Sequence, residues 1–410
     1  MQKKKILIGL SGGVDSAVSA YLLKEEGYDV TAGFMINYLA PEGELCPTRE
    51  DLAVAKQVAE FLEIPFFTFD YRDEYEKKVL SYMFEGYKKG ITPNPDIMCN
   101  SEIKFKVFQD EALDLGFDAV ATGHYARIAI QKKNPQDTSL QLSPARGESE
   151  PQSHFSCQEK IERGVVGGET FTLLKGIDET KDQSYFLAGL SQKQLSKALF
   201  PIGHLQKSEV REIATHIGLP NAHRKDSQGI CFVGKVDIKQ FLQKKIKNSE
   251  GNIVDVNGKI LGKHKGVFYY TIGQRKGIDI GGQSEPIFVI KKDIKNNTLV
   301  MGTSQDQNLY SDTLTLSEIH FLGKEREFPH TCHAKIRYRQ EDQECEIIDL
   351  FQLYPRALSL ASQFTLSPKG EMKQEKYQVK FKKSQRAIAS GQIIAFYDGD
   401  ELWGSGVISG

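Results

Sequence analysis

The chain has 410 residues, of which 40% are hydrophobic and 26% charged, and its formal net charge is −1. This length predicts two or three domains, and the composition is typical of a globular protein. The near-neutral charge excludes a protein that binds nucleic acid through overall positive charge, and no apolar run reaches the roughly 20 residues that span a bilayer. The apolar run after Met1 is too short for a signal peptide, so we expect a cytoplasmic protein without a membrane partner.

The first third of the chain alternates short apolar runs with amphipathic stretches. The apolar runs predict strands over 5–10, 30–36, 65–70 and 117–122. The amphipathic stretches predict helices over 15–26, 49–62, 74–89 and 101–115. Because strands alternate with helices, we expect an α/β fold with a doubly wound parallel sheet.

The later sequence has a different texture. A polar, aperiodic segment at 131–168 predicts an exposed insertion, after which the α/β pattern resumes with a helix over 208–217, capped by Ser208. From about residue 250, a hairpin around Asn257-Gly258 is followed by short apolar runs at 268–272, 287–291, 298–301, 331–337, 344–349, 377–381 and 392–397. Many short strands without helices predict a small β-barrel or sandwich at the C-terminus.

Cysteine usage points to reactive rather than structural thiols. The six cysteines are Cys46, Cys99, Cys157, Cys231, Cys332 and Cys345, and none belongs to a CxxC pair. A zinc site is therefore not expected, and a reducing cytosol disfavours structural disulfides. Cys157 lies in the polar insertion and has little weight as a functional candidate.

A glycine-rich turn joins the first predicted strand to the first helix. Its glycines allow backbone N–H groups to converge on an anion, and the helix N-terminus and two serine hydroxyls add donors. The candidate phosphate-binding residues are Gly9, Leu10, Ser11, Gly12, Gly13, Val14, Asp15 and Ser16. The run fits neither GxxxxGK[ST] nor GxGxxG, and no lysine follows that would reach a terminal phosphate. A bare Ser-Gly-Gly is also compatible with an ordinary serine-capped turn.

The full run on the first strand resembles the pyrophosphate-loop superfamily, whose members split ATP into AMP and pyrophosphate to adenylate an oxygen. The resemblance implies ATP as cofactor, with Mg²⁺ carried by the nucleotide and no separate metal site. Nucleotides bind at the carboxyl ends of the strands in open parallel sheets. Met35 and Gly123, which end the second and fourth strands, are therefore expected to border the adenine and ribose.

Two cysteines lie in contexts that favour reactivity. The loop over 93–100 carries two prolines that block regular structure, which predicts Cys99 at a helix N-terminus, where the dipole lowers a thiol pKa. Asp96, three residues earlier, is an acid/base candidate. Cys231 follows a polar, glycine-containing run and is predicted to be accessible. Each cysteine, taken alone, is equally compatible with a small buried core residue.

Several separated motifs, in this order, resemble the bacterial tRNA-specific 2-thiouridylases and their mitochondrial counterpart over nearly the whole chain. Besides the loops of Cys99 and Cys231, they are the segments 121–127, 181–187, 270–277, 337–340 and 391–392. The resemblance implies a pyrophosphate-loop catalytic domain over 1–200 and 221–237, a small central tRNA-contacting domain over 201–220 and 238–302, and a C-terminal β-barrel over 303–410.

The resemblance also implies a reaction. ATP adenylates the C2 oxygen of the wobble uridine in the tRNA anticodon loop, and Cys231 carries sulfur as a persulfide. Cys99 is the nucleophile that resolves the persulfide, either through a transient disulfide with Cys231 or by releasing sulfide, and Asp96 is the acid/base. The sulfur comes from a donor protein, either a persulfide relay or a cysteine desulfurase. A disulfide step needs the two Cα atoms about 5.5–6 Å apart, so we expect a loop to move.

RNA-contacting residues are implied in the same way. Asn94, Pro95 and Asp96 are expected to meet the target base, which a single-stranded loop can present without unpairing. The implied tRNA contacts are His124, Lys181, Asp182, Gln183, Arg337, Tyr338, Arg339 and Gln392. Taken singly, His124 and Gln392 also fit ordinary polar residues at strand ends. The arginines at 337 and 339 are predicted to face one side of a strand, which suits phosphate or an exposed barrel face equally.

Two features depart from the family pattern, and two other functions stay open. The insertion at 131–168 is longer than usual, and a smaller expansion lies near 366–374. One alternative is another pyrophosphate-loop adenylating ligase, which needs no paired cysteines. The other is an RNA-binding protein with a regulatory ATP site, which would form no AMP.

Overall fold

The computed structural model describes residues 3–39, 47–132, 169–226, 231, 238–243, 245–247, 249–278, 280–282, 285–353, 365–366, 372–373 and 376–409. Cys46, Cys157 and nearly all of the predicted insertion lie outside these residues, as does most of the expansion near 366–374. The chain forms two compact units. The first unit comprises Met1–Tyr71, Ile103–Ser184 and Leu190–Ser227, and the second comprises Arg72–Glu102, Tyr185–Gly189 and Gln228–Gly410.

The first unit is built on a parallel sheet. Its strands are β1 (Lys5–Gly9), β2 (Asp29–Ile36), β3 (Phe66–Asp70) and β4 (Ala119–Ala121), while β5 (Ala126–Lys132) and β6 (Glu169–Lys175) form an antiparallel pair and β7 (Ala198–Leu199) returns to the sheet. The strand order is β3-β2-β1-β4-β7, and every neighbouring pair is parallel. The predicted parallel sheet is thus confirmed, although the β5–β6 pair beside the insertion was not predicted.

Helices pack against this sheet because its strands are apolar on both faces. The helices of the first unit are Val14–Glu25, Pro47–Phe61, Phe108–Asp114, Gln192–Leu195 and Lys207–His216. Strand residues Ile6 and Ile8 are fully buried in one cluster with Val18 and Leu23 of the first helix. The predicted cap at Ser208 is wrong, because the helix begins one residue earlier and the Glu209 carboxylate accepts the Gln206 N–H at 2.6 Å.

The second unit begins with two helical runs. The first run is continuous through Arg72–Tyr75, a π-helical segment Glu76–Leu80, and Ser81–Lys88. The second run is Pro95–Cys99, which leads into a π-helical segment Asn100–Val107. Shorter helical segments of the unit are Ser184–Leu187, Ile238–Gln243, Val267–Tyr269, Gln307–Leu309 and Leu350–Leu353. None of the described helices has the length and apolar character needed to cross a bilayer.

Four strands form a small sheet in the middle of the chain. They are β8 (Gly251–Val254), β9 (Ile260–His264), β10 (Ile287–Asp293) and β11 (Thr298–Thr303), in the order β10-β11-β8-β9. The predicted hairpin at Asn257-Gly258 is confirmed by the β8–β9 pairing. The predicted strand over 268–272 is wrong, because Val267–Tyr269 forms a 3₁₀ turn in which the Tyr269 N–H donates to Gly266 O at 3.2 Å.

The C-terminal strands form a larger antiparallel sheet. They are β12 (Tyr310–Leu316), β13 (His320–Phe321), β14 (His330–Lys335), β15 (Gln343–Asp349), β18 (Tyr377–Arg386), β19 (Ile393–Asp398) and β20 (Glu401–Val407), while β16 (Thr365–Leu366) and β17 (Met372–Lys373) pair separately. Their order is β12-β18-β15-β14-β19-β20, with β13 also on β20. Trp403 stacks on Phe396 in the buried core of this sheet, with ring centroids 5.2 Å apart.

The predicted strand placement of the arginines at 337 and 339 is wrong. Strand β14 ends at Lys335, and the chain then turns, with Arg339 in the left-handed region at φ 62°. The Gln340 side chain accepts the Ile336 N–H at 2.9 Å and so replaces the next ladder bond. The two arginines therefore do not alternate along a strand.

Candidate functional site

The phosphate loop is closed by its own serines. Ser16 Oγ accepts the Ser11 N–H at 3.1 Å and donates to Gly13 O at 3.1 Å, and it lies 3.2 Å from Ser11 Oγ. Gly12 has φ 77°, and a Cβ there would lie 2.6 Å from Asp51 O. The sharp turn therefore requires glycine at this position.

The predicted adenine and ribose residues lie beside this loop. A Cβ on Gly123 would lie 2.6 Å from Ser16 N and 2.7 Å from the Asp15 carbonyl carbon. Met35 packs over Gly9, where an added Cβ would lie 3.3 Å from Met35 Cε. The structure thus brings together the predicted residues Gly9 to Ser16, Met35 and Gly123, and the close approach of the Asp15–Ser16 backbone requires glycine at position 123.

Two residues far away in sequence bond to Asp15. Its Oδ1 accepts hydrogen bonds from the Lys207 ammonium at 2.6 Å and from the Tyr125 hydroxyl at 2.9 Å. Burial, followed by the negative charge of Asp15, raises the pKa of Tyr125, so the phenol stays a neutral donor. Lys207 was missed from the sequence because it lies 192 residues from Asp15 and belongs to no spacing pattern.

A second carboxylate, Asp226, joins the same cluster. Its carboxylate oxygens form ion pairs with Lys207 at 2.7 Å, Lys181 at 2.8 Å and Arg211 at 2.7 Å. Burial acts to raise the pKa of Asp226, but the hydrogen bonds and charges of Lys181 and Lys207 outweigh it and hold the pKa well below its usual range. Lys181, an implied tRNA contact, therefore lies in this cation cluster together with Lys207 and Arg211.

The neighbouring implied tRNA contacts bond to backbone. Asp182 is buried, and its Oδ1 accepts N–H groups from Gly176 at 3.1 Å and Ser184 at 3.0 Å. The Gln183 side chain accepts the Tyr125 N–H at 3.0 Å. Gln183 therefore fixes the backbone at Tyr125, and Asp182 fixes the backbone at Gly176 and Ser184.

His124 is also enclosed. Its Nδ1 lies 2.7 Å from Thr122 Oγ1, and its ring packs between Phe105 and Phe200. Burial, with a contribution from Lys104, lowers the pKa of His124 well below 6.5. The ring is therefore neutral at physiological pH.

The helix that carries Cys99 starts earlier than expected. Asn94 caps it by accepting the Ile97 N–H at 3.2 Å, and Pro95 occupies the first helical turn, where its missing N–H costs nothing. The predicted position of Cys99 at a helix N-terminus is therefore wrong. Cys99 is the last residue of Pro95–Cys99 and is fully buried, so the helix dipole does not act on it as expected.

The cysteine site brings the predicted catalytic residues together. Asp96 Oδ1 accepts the Cys231 N–H at 3.0 Å, across 135 residues of sequence. Tyr75, fully buried, donates its hydroxyl to Cys231 O at 2.7 Å. Burial raises the pKa of Tyr75, and electrostatic interactions with Cys99, Cys231 and Asp96 raise it further, so all three residues lie near this one phenol. No sequence pattern had marked Tyr75.

The loop expected to meet the target base is braced from the C-terminal sheet. Gln392 Nε2 donates to Thr92 O at 3.0 Å and Pro93 O at 3.4 Å. Thr92 N–H donates to Ser390 O at 2.8 Å, and its hydroxyl lies 3.5 Å from that of Thr271. Gln392 and Thr271, from two of the quoted motifs, thus both contact the residues just before Asn94.

The turn after β14 presents an aromatic and cationic group. The Tyr338 ring lies 4.4 Å from the Phe186 ring, and the Arg339 guanidinium lies 5.3 Å from the Tyr338 centroid. Arg337 donates to Arg386 O. Burial and the nearby Arg386 charge lower the pKa of Arg337. The three residues form one group at the end of a strand.

Comparison with known families assigns a class to each part of the chain. Residues 4–235 match the tRNA methyl transferase HUP domain, residues 239–303 the tRNA methyl transferase PRC-barrel domain, and residues 362–408 the aminomethyltransferase beta-barrel domain. The fold and the phosphate loop thus define a HUP-domain protein of the tRNA-modifying class with two barrel domains. This confirms the predicted fold class.

Relatives narrow the class to a family. The tRNA-specific 2-thiouridylase MnmA of Shouchella clausii (strain KSM-K16) is 42% identical over 407 residues, which are 98% of this chain and 96% of the relative. The tRNA-specific 2-thiouridylase MnmA of Streptococcus thermophilus (strain ATCC BAA-491 / LMD-9) is 42% identical over 413 residues, which are 99% of this chain and 95% of the relative. The chain belongs to the tRNA-specific 2-thiouridylase family, as predicted.

A solved U34-tRNA thiolase, NcsA from Methanococcus maripaludis, aligns with 59% of this chain and 66% of its own, at 19% identity and a TM-score of 0.30. The domain bounds and the roles of the site residues stay predictions.

Proposed function

We propose that the chain is a sulfurtransferase that uses ATP to replace the C2 oxygen of the wobble uridine in tRNA by sulfur. The observation that carries this proposal is the Asp96–Cys231 hydrogen bond beside Tyr75, which gathers one carboxylate and two thiols from distant segments. Membership of the tRNA-specific 2-thiouridylase family supports the substrate.

ATP supplies adenylation, which makes the uridine oxygen a good leaving group as AMP. The backbone and hydroxyls of Ser11 to Ser16 would bind the phosphates, and Met35 and Gly123 would border the adenine and ribose. Asp15 would help to orient Mg²⁺ on the phosphates. Glycine at 12 and 123 preserves the conformation of the loop, because a side chain at either position would collide with the backbone around it.

The sulfur step can be balanced in two ways. In the first, the outer sulfur of the Cys231 persulfide attacks C2 and AMP leaves. The Cys99 thiolate then attacks the Cys231 sulfur and breaks the S–S bond to the base. In the second, Cys99 attacks the persulfide first and releases sulfide, which attacks C2. Both routes produce 2-thiouridine and a Cys99–Cys231 disulfide, which a two-electron thiol reductant must reopen.

Asp96 and Tyr75 act on this step in different ways. The Asp96 carboxylate, held by the Cys231 N–H at 3.0 Å, is placed to accept the proton of a thiol or persulfide. The Tyr75 hydroxyl fixes the Cys231 carbonyl and so orients the residue that carries sulfur. Tyr75 is thus a positioning residue.

The proposed RNA contacts also divide into residues that touch the RNA and residues that support them. Asn94 and Pro95 would meet the flipped-out base, and Gln392 supports their loop from behind. Lys181 and the group at 337–339 would offer cations and an aromatic face to RNA. Asp182 and Gln183 hold backbone in place, and His124 bonds to the Thr122 hydroxyl. A cytoplasmic donor protein, a persulfide relay or a cysteine desulfurase, would load Cys231.

The test is mass analysis of tRNA nucleosides after incubation with ATP, Mg²⁺ and a persulfide source. Cys231→Ser and Cys99→Ser are expected to abolish 2-thiouridine but to keep tRNA-dependent adenylation. Cys332→Ala is the matched control, because it removes a buried thiol from strand β14, outside the site. Unchanged 2-thiouridine with Cys231→Ser would contradict the proposal.

The same assay separates the alternatives. A different adenylating ligase would keep its full activity in Cys99→Ser, and an RNA-binding protein with a regulatory ATP site would form no AMP with tRNA.

A further inference from the structure

The phosphate loop of this chain lacks the lysine that a Walker loop carries, yet cations collect beside it. Lys207 reaches Asp15 of the loop itself at 2.6 Å, and its side chain is only 13% exposed. Arg224 Nη1 donates to Gly12 O at 3.1 Å in the same turn. A half-buried ammonium beside a loop of backbone donors is chemically suited to bind phosphate.

The Asp226 carboxylate occupies the centre of the cation cluster. Three cations from separate positions, Lys181, Lys207 and Arg211, converge on it within 2.8 Å. Asp226 Oδ1 takes both Lys207 and Arg211, while Oδ2 takes Lys181. A carboxylate that holds three convergent cations occupies a position in which those cations could also bind the anionic oxygens of a phosphate group.

We propose that Lys207, with Lys181 and Arg211, binds the pyrophosphate portion of ATP, and that Asp226 fills this anion site as an internal competitor when no nucleotide is bound. This inference rests on the proposed use of ATP. Lys207 supplies from the helix Lys207–His216 the charge that the loop's own sequence omits. Asp226 keeps the three cations paired, and phosphate oxygens displace it.

If Asp226 competes with phosphate, replacing Asp226 and replacing Lys207 should change the affinity for pyrophosphate in opposite directions. If Asp226 were only a structural brace, its removal would scatter the cations and weaken phosphate binding. If it competes, its removal strengthens binding.

Calorimetric titration of the full chain with inorganic pyrophosphate and Mg²⁺ tests this. Lys207→Met is expected to weaken the binding of pyrophosphate about tenfold or more, because it removes a hydrogen bond between charged groups. Lys207→Arg should recover most of the affinity, because it keeps the charge. Asp226→Asn is expected to strengthen the binding of pyrophosphate about threefold. This factor assumes that each of the three partly exposed ion pairs contributes at the low end of the usual range for such pairs.

Adenosine and a lysine elsewhere in the domain are the controls. Adenosine carries no phosphate, so its affinity should be unchanged in every variant, which also verifies that the variants are folded. Lys24→Met removes a lysine bonded to Leu62 O at 2.6 Å, away from the loop, and should leave pyrophosphate binding unchanged.

Unchanged pyrophosphate affinity in Lys207→Met, or weaker binding in Asp226→Asn, would overturn the inference. If the wild-type chain forms no AMP with tRNA, the proposed function fails, but the pyrophosphate affinities of the two variants still decide this inference.

Discussion

Replacing Tyr75 by phenylalanine should slow sulfur transfer without affecting adenylation. The ring is fully buried and would keep its packing, so the change removes only the hydroxyl that donates to Cys231 O at 2.7 Å. A neutral hydrogen bond contributes about 0.5–1.5 kcal/mol, which corresponds to about a 2- to 12-fold change in an equilibrium constant. We therefore expect the persulfide-bearing residue to be correctly placed in a smaller fraction of molecules, and transfer to slow by about that factor.

The assay is a single turnover of chain preloaded with persulfide, in which 2-thiouridine, which reports sulfur transfer, and pyrophosphate, which reports adenylation, are measured from the same samples. Tyr269→Phe is the matched control, because this buried tyrosine also donates to a backbone carbonyl, that of Ile246, at 2.5 Å. Because burial raises the pKa of Tyr75, its hydroxyl stays protonated, and the ratio of wild-type to variant rates should be constant from about pH 6 to 9. Equal loss in both variants, or a parallel fall in pyrophosphate release, would refute the positioning role.

Three further predictions concern the histidine, the base loop and the nucleotide loop. Because burial lowers the pKa of His124 well below 6.5, the unfolded state binds the extra proton, so the free energy of unfolding should fall by up to about 1.4 kcal/mol per pH unit below about 6.5. Urea unfolding at two pH values should show this fall reduced in His124→Asn but retained in His216→Asn, an exposed control. Gln392→Ala, which frees two loop carbonyls, should raise the KM for tRNA several-fold in steady-state thiolation while leaving the Kd for ATP unchanged; a normal KM would exclude the bracing role. Gly123→Ala places a Cβ 2.6 Å from Ser16 N, and this overpacking should weaken the binding of ATP about tenfold in calorimetry. Gly281→Ala is the control, because its Cβ meets no atom within 4 Å and the variant should bind ATP normally.

The elements that the sequence predicted correctly are those encoded by local patterns. Alternating apolar and amphipathic runs located β1, β2, β3 and the helices between them, and the glycine run located the phosphate loop. The paired motifs of Asp96, Cys99 and Cys231 identified side chains that the fold brings together. In each case a short stretch of sequence carries its own physical signal, such as hydrophobic period or turn chemistry.

The residues that the sequence missed act through distant contacts. Lys207 and Asp226 bond to each other and to Asp15 or Lys181, and Tyr75 bonds to Cys231, but no spacing rule links such positions. The error at Cys99 has a different cause, since a proline that breaks a helix interior is favourable at its first turn. A pattern with two prolines therefore gave the wrong helix start.

The π-helical segment Glu76–Leu80, directly after Tyr75, is the place where this helix can lose a residue without changing the direction of the phenol. An α-helix advances about 100° per residue, and a π-helical segment accommodates one surplus residue within an otherwise regular helix. Deleting a single amino acid between positions 76 and 80 would therefore restore ordinary winding and leave the phenol facing the sulfur carrier, whereas a deletion in the regular helix Ser81–Lys88 would turn the residues on its two sides by about 100° relative to each other. Natural gaps in an alignment of relatives should accordingly fall in this short window rather than in the regular turns that follow it.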